Sequence, residues 1–117
     1  MGGSRYRILQ SQQPYFLTCT VLNWILLFTR PATVQIVLYA LFYRQQQRNW
    51  LIYGYVILEN HLHLLLQADD LREQLAHFKS YTARQLINYL ESINAERLLQ
   101  QLRWFRKAHK TDREYQL

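Results

Sequence analysis

Glycine, proline and cysteine are all scarce in this chain of 117 residues, which contains three Gly, two Pro and one Cys. Half of the residues are hydrophobic. This composition excludes a disordered or low-complexity protein and predicts one globular domain. The single Cys19 cannot form an intramolecular disulfide and offers no metal-ligand spacing, which favours the reducing cytoplasm. We expect Cys19 to be a small buried residue.

An uninterrupted apolar run of membrane-spanning length is also lacking. The stretch from Tyr15 to Tyr43 is interrupted by Asn23, Arg30 and Pro31. Neither half reaches the ~20 apolar residues that a spanning helix needs. The N-terminus carries no apolar segment typical of a secretory signal. The sequence therefore predicts a soluble protein that does not enter a membrane.

Acidic residues are few, with 8 Asp and Glu against 14 Lys and Arg, and the formal net charge is +6. A basic protein of this kind attracts polyanions, most simply nucleic acid. The alternative is an ordinary basic surface that only improves solubility.

Hydrophobic periodicity predicts an α+β domain with the order β-α-β-β-α-α. Its strands are Tyr15–Trp24, Trp50–Leu58 and His61–Gln67, and its helices begin near Thr29, Asp70 and Asn94. We expect an antiparallel, ferredoxin-like sheet with the helices packed on one face. The nearly continuous apolar run Trp50–Leu58 is typical of a central strand. A fourth strand could come only from Arg113–Leu117.

Local signals predict how the helices begin and which faces they bury. Thr29 is a candidate cap before Pro31, Asp70–Glu73 resembles a capping box, and Asn94 is a candidate cap for the last helix. The second helix carries an apolar stripe at helical spacing. Its members are Leu71, Leu75, Phe78, Thr82, Leu86, Tyr89 and Ile93.

The most informative motif is His61-Leu62-His63. Residues two apart in a strand point to the same face. Leu62, Leu64 and Leu66 would then anchor the strand in a core, while His61 and His63 converge on the opposite face. Neutral imidazoles are common ligands of borderline cations. The alternative is a pair of solvent-facing rings that make only local hydrogen bonds.

Several segments resemble the HUH single-tyrosine transposases, most closely their REP-associated branch. Tyr55–Leu66 (YVILENHLHLLL) is similar to the Tyr-Val-x-Met-Pro-Asn-His-x-His-Leu-Leu pattern of that branch, with Leu58-Glu59 where Met-Pro is usual. Phe78–Arg84 resembles the Lys- and Ser/Thr-rich helix that follows the histidines. Further similarity lies in Trp24, Phe28–Pro31 and Lys110–Leu117.

The resemblance implies an HUH-type fold and an enzyme that nicks and rejoins single-stranded or hairpin DNA. His61 and His63 would hold a divalent cation, Mg²⁺ or Mn²⁺, together with a third polar ligand, and the cation would polarise the scissile phosphate. A tyrosine would attack to give a 5′-phosphotyrosyl link and a free 3′-hydroxyl. Whether such a domain is a monomer or a homodimer is left open.

The attacking tyrosine of the family lies in a later helix, within a Tyr-Ile-x-x-Asn-Pro-like segment. We therefore expect residues 1–117 to form a single transposase-like domain that lacks this helix. Tyr81, with Gln85 one helical turn later, is the fallback nucleophile within the chain. It lies in the segment that resembles the DNA-contacting helix, however, and a tyrosine beside an apolar stripe usually packs with its hydroxyl at the rim.

Candidate DNA contacts are basic side chains, with Tyr81 and Trp104 as stacking surfaces for bases. The basic candidates are Lys79, Arg84, Arg103, Arg106, Lys107 and Lys110. For each of them, the alternative is a solvated charge on a helix.

Two other functions remain open. One is a non-catalytic remnant that binds DNA without cutting it. The other is a metal-dependent hydrolase in which His61 and His63 activate a water molecule. A covalent protein–DNA adduct would identify the transposase, binding without cleavage the remnant, and turnover without an adduct the hydrolase.

Overall fold

The computed structural model describes residues 13–20 and 27–103. They form an α+β domain in which three helices pack against a three-stranded antiparallel sheet. The strands are β1 (Tyr15–Thr20), β2 (Leu51–Ile57) and β3 (His61–Gln67). The helices are α1 (Pro31–Gln47), α2 (Leu71–Ser92) and α3, which is described over residues 96–103. The predicted order β-α-β-β-α-α is confirmed.

The strand order in the sheet is β1-β3-β2, with β3 antiparallel to both neighbours. This is the arrangement of a split β-α-β unit: β1 and β2 are parallel to each other, and β3 lies between them. The fourth strand expected from Arg113–Leu117 and the predicted continuation of β1 to Trp24 both lie outside the described residues.

The prediction that β2 is the central strand is wrong, because β2 lies at an edge of the sheet that the described residues form. Its apolar residues do not mark burial on both faces: Leu51, Tyr53 and Val56 are each about half exposed. β3 is the central strand because it pairs with both β1 and β2, and its Leu62 and Leu64 are fully buried. Apolar content alone therefore misidentified the central strand.

The hydrophobic core lies between one face of the sheet and the helices. Leu17 and Cys19 of β1 and the leucines of β3 pack there with buried residues of α1 and α2. Burial raises the pKa of the Cys19 thiol. On α2 the predicted stripe is confirmed from Leu71 to Leu86, but its last buried residue is Leu90, while Ile93 is exposed.

The predicted cap of α1 is wrong, and the predicted capping box of α2 is right in position but does not form its side-chain bond. The N-cap of α1 is Arg30, and Thr29 does not take that position, although Pro31 does occupy the first turn as predicted. Asp70 is the N-cap of α2 but has left-handed backbone angles, φ 51° and ψ 44°, and makes no side-chain cap bond. In that conformation its carboxylate does not complete the capping box.

Asn94 ends α2 instead of capping α3. It has a positive φ of 55°. Its N–H bonds to the carbonyl of Glu91, and the N–H of Ala95 bonds to the carbonyl of Leu90. These two bonds form a Schellman motif, in which asparagine replaces the more usual glycine. The carbonyl of Ala95 then accepts the first bond of α3, from Leu99.

A partly buried cluster of hydrogen-bonded side chains joins α1, α2 and the residue before β2. Gln74 Oε1 accepts hydrogen bonds from Trp50 Nε1 at 3.3 Å and from Arg44 Nη1 at 3.4 Å. Burial lowers the pKa of Arg44. Trp50 also packs against Phe78, with ring centroids 5.6 Å apart. These contacts hold α1 and α2 in position beside the start of β2.

Among the described residues, no helix is long and apolar enough to cross a membrane.

Two buried threonines should respond in opposite directions to the same substitution. Thr33 Oγ1 donates to the carbonyls of Leu27 and Arg30, at 2.8 and 3.0 Å. Thr82 Oγ1 is equally buried and has no hydrogen-bond partner among the described residues. An unsatisfied buried hydroxyl costs about 1–3 kcal/mol, whereas a satisfied one contributes roughly 1 kcal/mol.

We therefore expect Thr82→Val to raise the free energy of unfolding by about 1 kcal/mol and Thr33→Val to lower it by a similar amount. Urea denaturation followed by circular dichroism measures both. A loss of stability in Thr82→Val as large as that in Thr33→Val would contradict this account of the core.

Candidate functional site

The two histidines of β3 lie on the face of the sheet opposite the core, which we call the open face. Leu62, Leu64 and Leu66 are fully buried, while His61 and His63 between them are half-buried. The two-residue period of the strand therefore separates the leucines from the histidines as predicted. Beside them on the open face lie Thr18 and Thr20 of β1, paired with His63 and His61 respectively.

The two imidazole rings are in contact, edge to face. Their centroids are 4.7 Å apart and their planes make an angle of 85°. At imidazole–metal bond lengths of roughly 2 Å, one nitrogen of each ring can reach a common ion at this separation. The separation of the two rings is therefore compatible with a shared cation.

Asn60 orients the first ring. Its side-chain oxygen lies 2.7 Å from His61 Nδ1. An amide oxygen can only accept, so this bond needs the proton on Nδ1, and the lone pair of the neutral ring is then on Nε2. Metal-binding histidines typically donate their second ring N–H to such a partner, which fixes the tautomer and the orientation of the ring.

The second ring is held by β1. Thr18 Oγ1 lies 3.1 Å from His63 Nδ1. The ring of Phe16 stacks on His63, with centroids 5.4 Å apart and an interplanar angle of 26°. The hydroxyl oxygen of Thr18 can accept a hydrogen bond from Nδ1–H of His63, as the side-chain oxygen of Asn60 does from His61. Each histidine thus has a hydrogen-bond partner at Nδ1, and the ring of His63 also stacks on Phe16.

In the part of the chain that the structure describes, the candidate ligands for a cation are the two imidazoles. Among residues 13–20 and 27–103, no group of three or more His, Cys, Asp or Glu side chains could hold a metal ion. Two neutral imidazole nitrogens can supply part of the coordination sphere of Mn²⁺. They suit Mg²⁺ less well, because Mg²⁺ prefers oxygen ligands. Oxygens from water or a phosphate would have to fill the remaining positions.

Tyr81 lies on the other side of the molecule from the histidines. It is exposed on α2 and lines a groove against α1 together with Tyr39, Tyr43 and Gln85. Since α1 and α2 pack on the leucine face of the sheet, the core separates Tyr81 from the open face. The structure does not bring Tyr81 and the His61–His63 pair together, and Gln85 accompanies Tyr81 in the groove.

Of the predicted DNA-binding cations that are described, Lys79 and Arg84 lie on different sides of α2. Lys79 and Arg84 are five positions apart, which is about 140° around a helix. Lys79 is partly buried close to Cys19, and this burial lowers its pKa, whereas Arg84 and Arg103 are exposed. Arg106, Lys107 and Lys110, together with Trp104, lie outside the described residues. The described cations do not form one cluster with the histidines.

No protein-family model, curated protein or solved structure matches this chain. The case for a function therefore depends on the site itself and on the sequence resemblance.

Phe16, Thr18 and Asn60 are site residues that the sequence did not identify. The alternation in β1, with Leu17 and Cys19 buried, indicates that Phe16 and Thr18 face outward. Which residue of β3 they meet depends on the strand register, and that register is not readable from either strand alone. Asn60 could have been identified because it directly precedes His61, although its bond depends on the conformation of the turn.

The contact between Thr18 and His63 predicts a loss of metal affinity in Thr18→Val. Valine keeps the branched shape of threonine but cannot accept a hydrogen bond from Nδ1–H of His63. Removing a group that orients a ligand typically weakens metal binding 10–100-fold. We expect a loss of about that size in Mn²⁺ affinity by calorimetry.

Thr20→Val is the matched control, because Thr20 lies on the same face of the same strand. Equal Mn²⁺ affinities in the two variants would show that the Thr18 hydroxyl does not orient His63.

Proposed function

We propose that this domain handles single-stranded or hairpin DNA through a divalent cation held by His61 and His63, as in the HUH single-tyrosine transposases that its sequence resembles. The observation that carries the proposal is the pair of touching imidazoles on the open face, 4.7 Å apart between centroids. Each has its Nδ1 engaged by a neighbouring oxygen, which suits Nε2 for metal binding.

The chemistry of the site supports a phosphate substrate. A bound divalent cation would withdraw charge from a phosphate oxygen and make the phosphorus easier to attack. The residues of the protein would orient the two imidazoles, through Asn60 and Thr18, and would leave coordination positions for the substrate. Phe16, which is exposed beside His63, offers an aromatic surface on which a base can stack.

The charge of the chain supports a polyanionic partner. Its formal net charge is +6 and its pI about 9.7. Such a field raises the rate of encounter with DNA and makes its affinity depend strongly on salt. Because Lys79 and Arg84 lie about 140° apart around α2 and Arg103 is on another helix, we assign the three to general attraction of the phosphate backbone and not to one recognition surface.

The nucleophile in this proposal is not Tyr81. In-line attack needs the tyrosine oxygen close to the phosphate that the histidine-bound cation contacts. Tyr81 lies in a groove of the helical layer, with the hydrophobic core between it and the open face. A tyrosine that acts in cleavage would have to reach the open face from another segment.

The central test is whether Mn²⁺ and DNA bind cooperatively at the histidine pair. If the cation bridges the imidazoles and a phosphate, each ligand must raise the affinity for the other by the same factor. We expect Mn²⁺ to tighten binding of a short hairpin with a single-stranded flank, as measured by fluorescence anisotropy at constant ionic strength. The double variant His61→Ala, His63→Ala should lose this effect and at least about 100-fold in Mn²⁺ affinity, since even an orienting group contributes 10–100-fold.

His77→Ala is the matched control. His77 is exposed on α2, 3.8 Å from Glu73, and away from the open face. The His77→Ala variant should retain both the Mn²⁺ affinity of the unmodified protein and the cooperativity between Mn²⁺ and DNA. Hairpin binding that is insensitive to Mn²⁺ in the unmodified protein would refute the metal-dependent function. Binding that is equally weakened in all variants would show that the loss is not specific to the histidine pair.

A second experiment separates cleavage from binding and from hydrolysis. The protein is incubated with a labelled hairpin and Mn²⁺, then analysed by denaturing electrophoresis. We expect no covalent adduct that depends on Tyr81, so that Tyr81→Phe behaves as the unmodified chain. An adduct abolished by Tyr81→Phe would contradict the account of the nucleophile. Cleaved DNA without any adduct would support the hydrolase, and binding without cleavage would support the non-catalytic alternative.

A further inference from the structure

A small polar pocket lies where the end of α1 meets the start of α2, and we call it the interhelical pocket. Its volume is about 280 Å³. The side chains that line it are Tyr43, Arg44 and Arg48 on one side and Asp70, Glu73, Gln74 and His77 on the other. Because α1 and α2 pack on the leucine face of the sheet, this pocket is separate from the histidine pair.

Arg44 is a buried cation in this pocket. Its side chain is 9% exposed, and neither Arg44 nor Arg48 forms an ion pair with a carboxylate of the described residues. The guanidinium has five N–H donors, and one of them bonds to the neutral Gln74 at 3.4 Å. Arginine is almost never buried in this way unless it is paired with a negative charge. Burial, and then the positive charge of Arg48 one turn later, lower the pKa of Arg44. Within the described part of the chain, the two arginines therefore lack a counter-charge.

The end of α1 holds Arg44 at the wall of the pocket. Its carbonyl accepts hydrogen bonds from the N–H groups of Arg48, at 2.9 Å, and Trp50, at 3.3 Å. Asn49 has a positive φ of 55°, which turns the chain back onto the helix end. Trp50 is 1% exposed and donates its indole N–H to the same oxygen of Gln74 that Arg44 contacts. Arg44 is thus fixed at the pocket through its backbone and its side chain.

The opposite wall of the pocket carries negative charge. Asp70 is the N-cap of α2, Glu73 lies in its first turn, and both are exposed. Glu73 pairs with His77 of its own helix, at 3.8 Å. Among the residues that the structure describes, no arginine–carboxylate contact within 4.0 Å spans the pocket. The two walls therefore face each other with opposite charge and without a direct salt bridge.

This charge distribution decides which class of ligand the pocket fits. With His77 neutral, two positive charges on the α1 side balance two negative charges on the α2 side. A simple anion such as phosphate would be attracted by one wall and repelled by the other, and the same holds for a metal cation. A zwitterion satisfies both walls at once. Guanidinium groups also bind carboxylates through two parallel hydrogen bonds, which favours a carboxylate as the negative group.

We propose that the interhelical pocket binds a free α-amino acid, with its carboxylate on Arg44 and Arg48 and its ammonium group facing Asp70 and Glu73. The ligand supplies the counter-charge that the arginines lack and links the end of α1 to the start of α2. A ligand that binds only the folded state also raises the free energy of unfolding. The proposal does not depend on metal or DNA binding at the histidine pair.

NMR titration of the full, ¹⁵N-labelled chain tests the proposal, with each of the common α-amino acids added in turn. We expect at least one of them to cause saturable shifts in the Nε–H signal of Arg44, the side-chain amide of Gln74 and the indole N–H of Trp50. Acetate and methylamine each carry one of the two charges. Each should bind at least about 10-fold more weakly than the amino acid, because it leaves one wall of the pocket without its charge-assisted hydrogen bonds.

Substitutions on the two walls test the assignment of the charges. Arg48→Gln and Glu73→Gln each remove a charge from an exposed side chain, so both variants should fold normally. Each should raise the dissociation constant of the amino acid at least about 10-fold, since a hydrogen bond to a charged group is lost. Arg72→Gln and Glu91→Gln are the matched controls and should leave the affinity unchanged, because both residues are exposed on α2 and neither lines the pocket.

Three results would overturn the proposal. The first is the absence of saturable shifts at the pocket with every amino acid. The second is an equal loss of affinity in the wall variants and their controls, which would indicate a general effect of charge. The third is acetate binding as tight as that of the amino acid, which would indicate a simple anion site.

Discussion

The structure depends on the alternation of side chains along β3. Because β3 is the central strand, one set of alternate residues must fill the core and the other set faces the open side of the sheet. Leu62, Leu64 and Leu66 make the first set, fully buried against the helices, and His61 and His63 belong to the second. A slip of one residue in register would bury two imidazoles and expose three leucines, so burial of the leucines holds the histidines in place.

The site is completed by residues that come from elsewhere in the fold. β1 contributes Thr18 and Phe16 to His63, and the turn before β3 contributes Asn60 to His61. The helices, by contrast, contribute to the core and to the far side of the molecule. This separation explains why Tyr81 does not belong with the histidines, although both lie in segments that resemble the same family.

The sequence predicted best where one strong periodicity governs a whole element. β3 was predicted with its observed limits, and the stripe of α2 was predicted from Leu71 to Leu86, because burial of many residues outweighs local preferences. The caps were predicted less well: Thr29 does not cap α1, and Asp70 is the N-cap of α2 as predicted but takes left-handed angles and makes no side-chain cap bond. The position of β2 and the contacts of Phe16 and Thr18 depend on strand order and register, which arise from tertiary packing.

A crystal of the protein soaked in Mn²⁺ and measured at the manganese absorption edge tests the central claim most directly. The account predicts one anomalous peak on the open face, within bonding distance of Nε2 of both His61 and His63, with Asn60 and Thr18 still bound to the Nδ1 atoms. A peak at any other place, no peak at saturating Mn²⁺, or coordination through a single imidazole would contradict it.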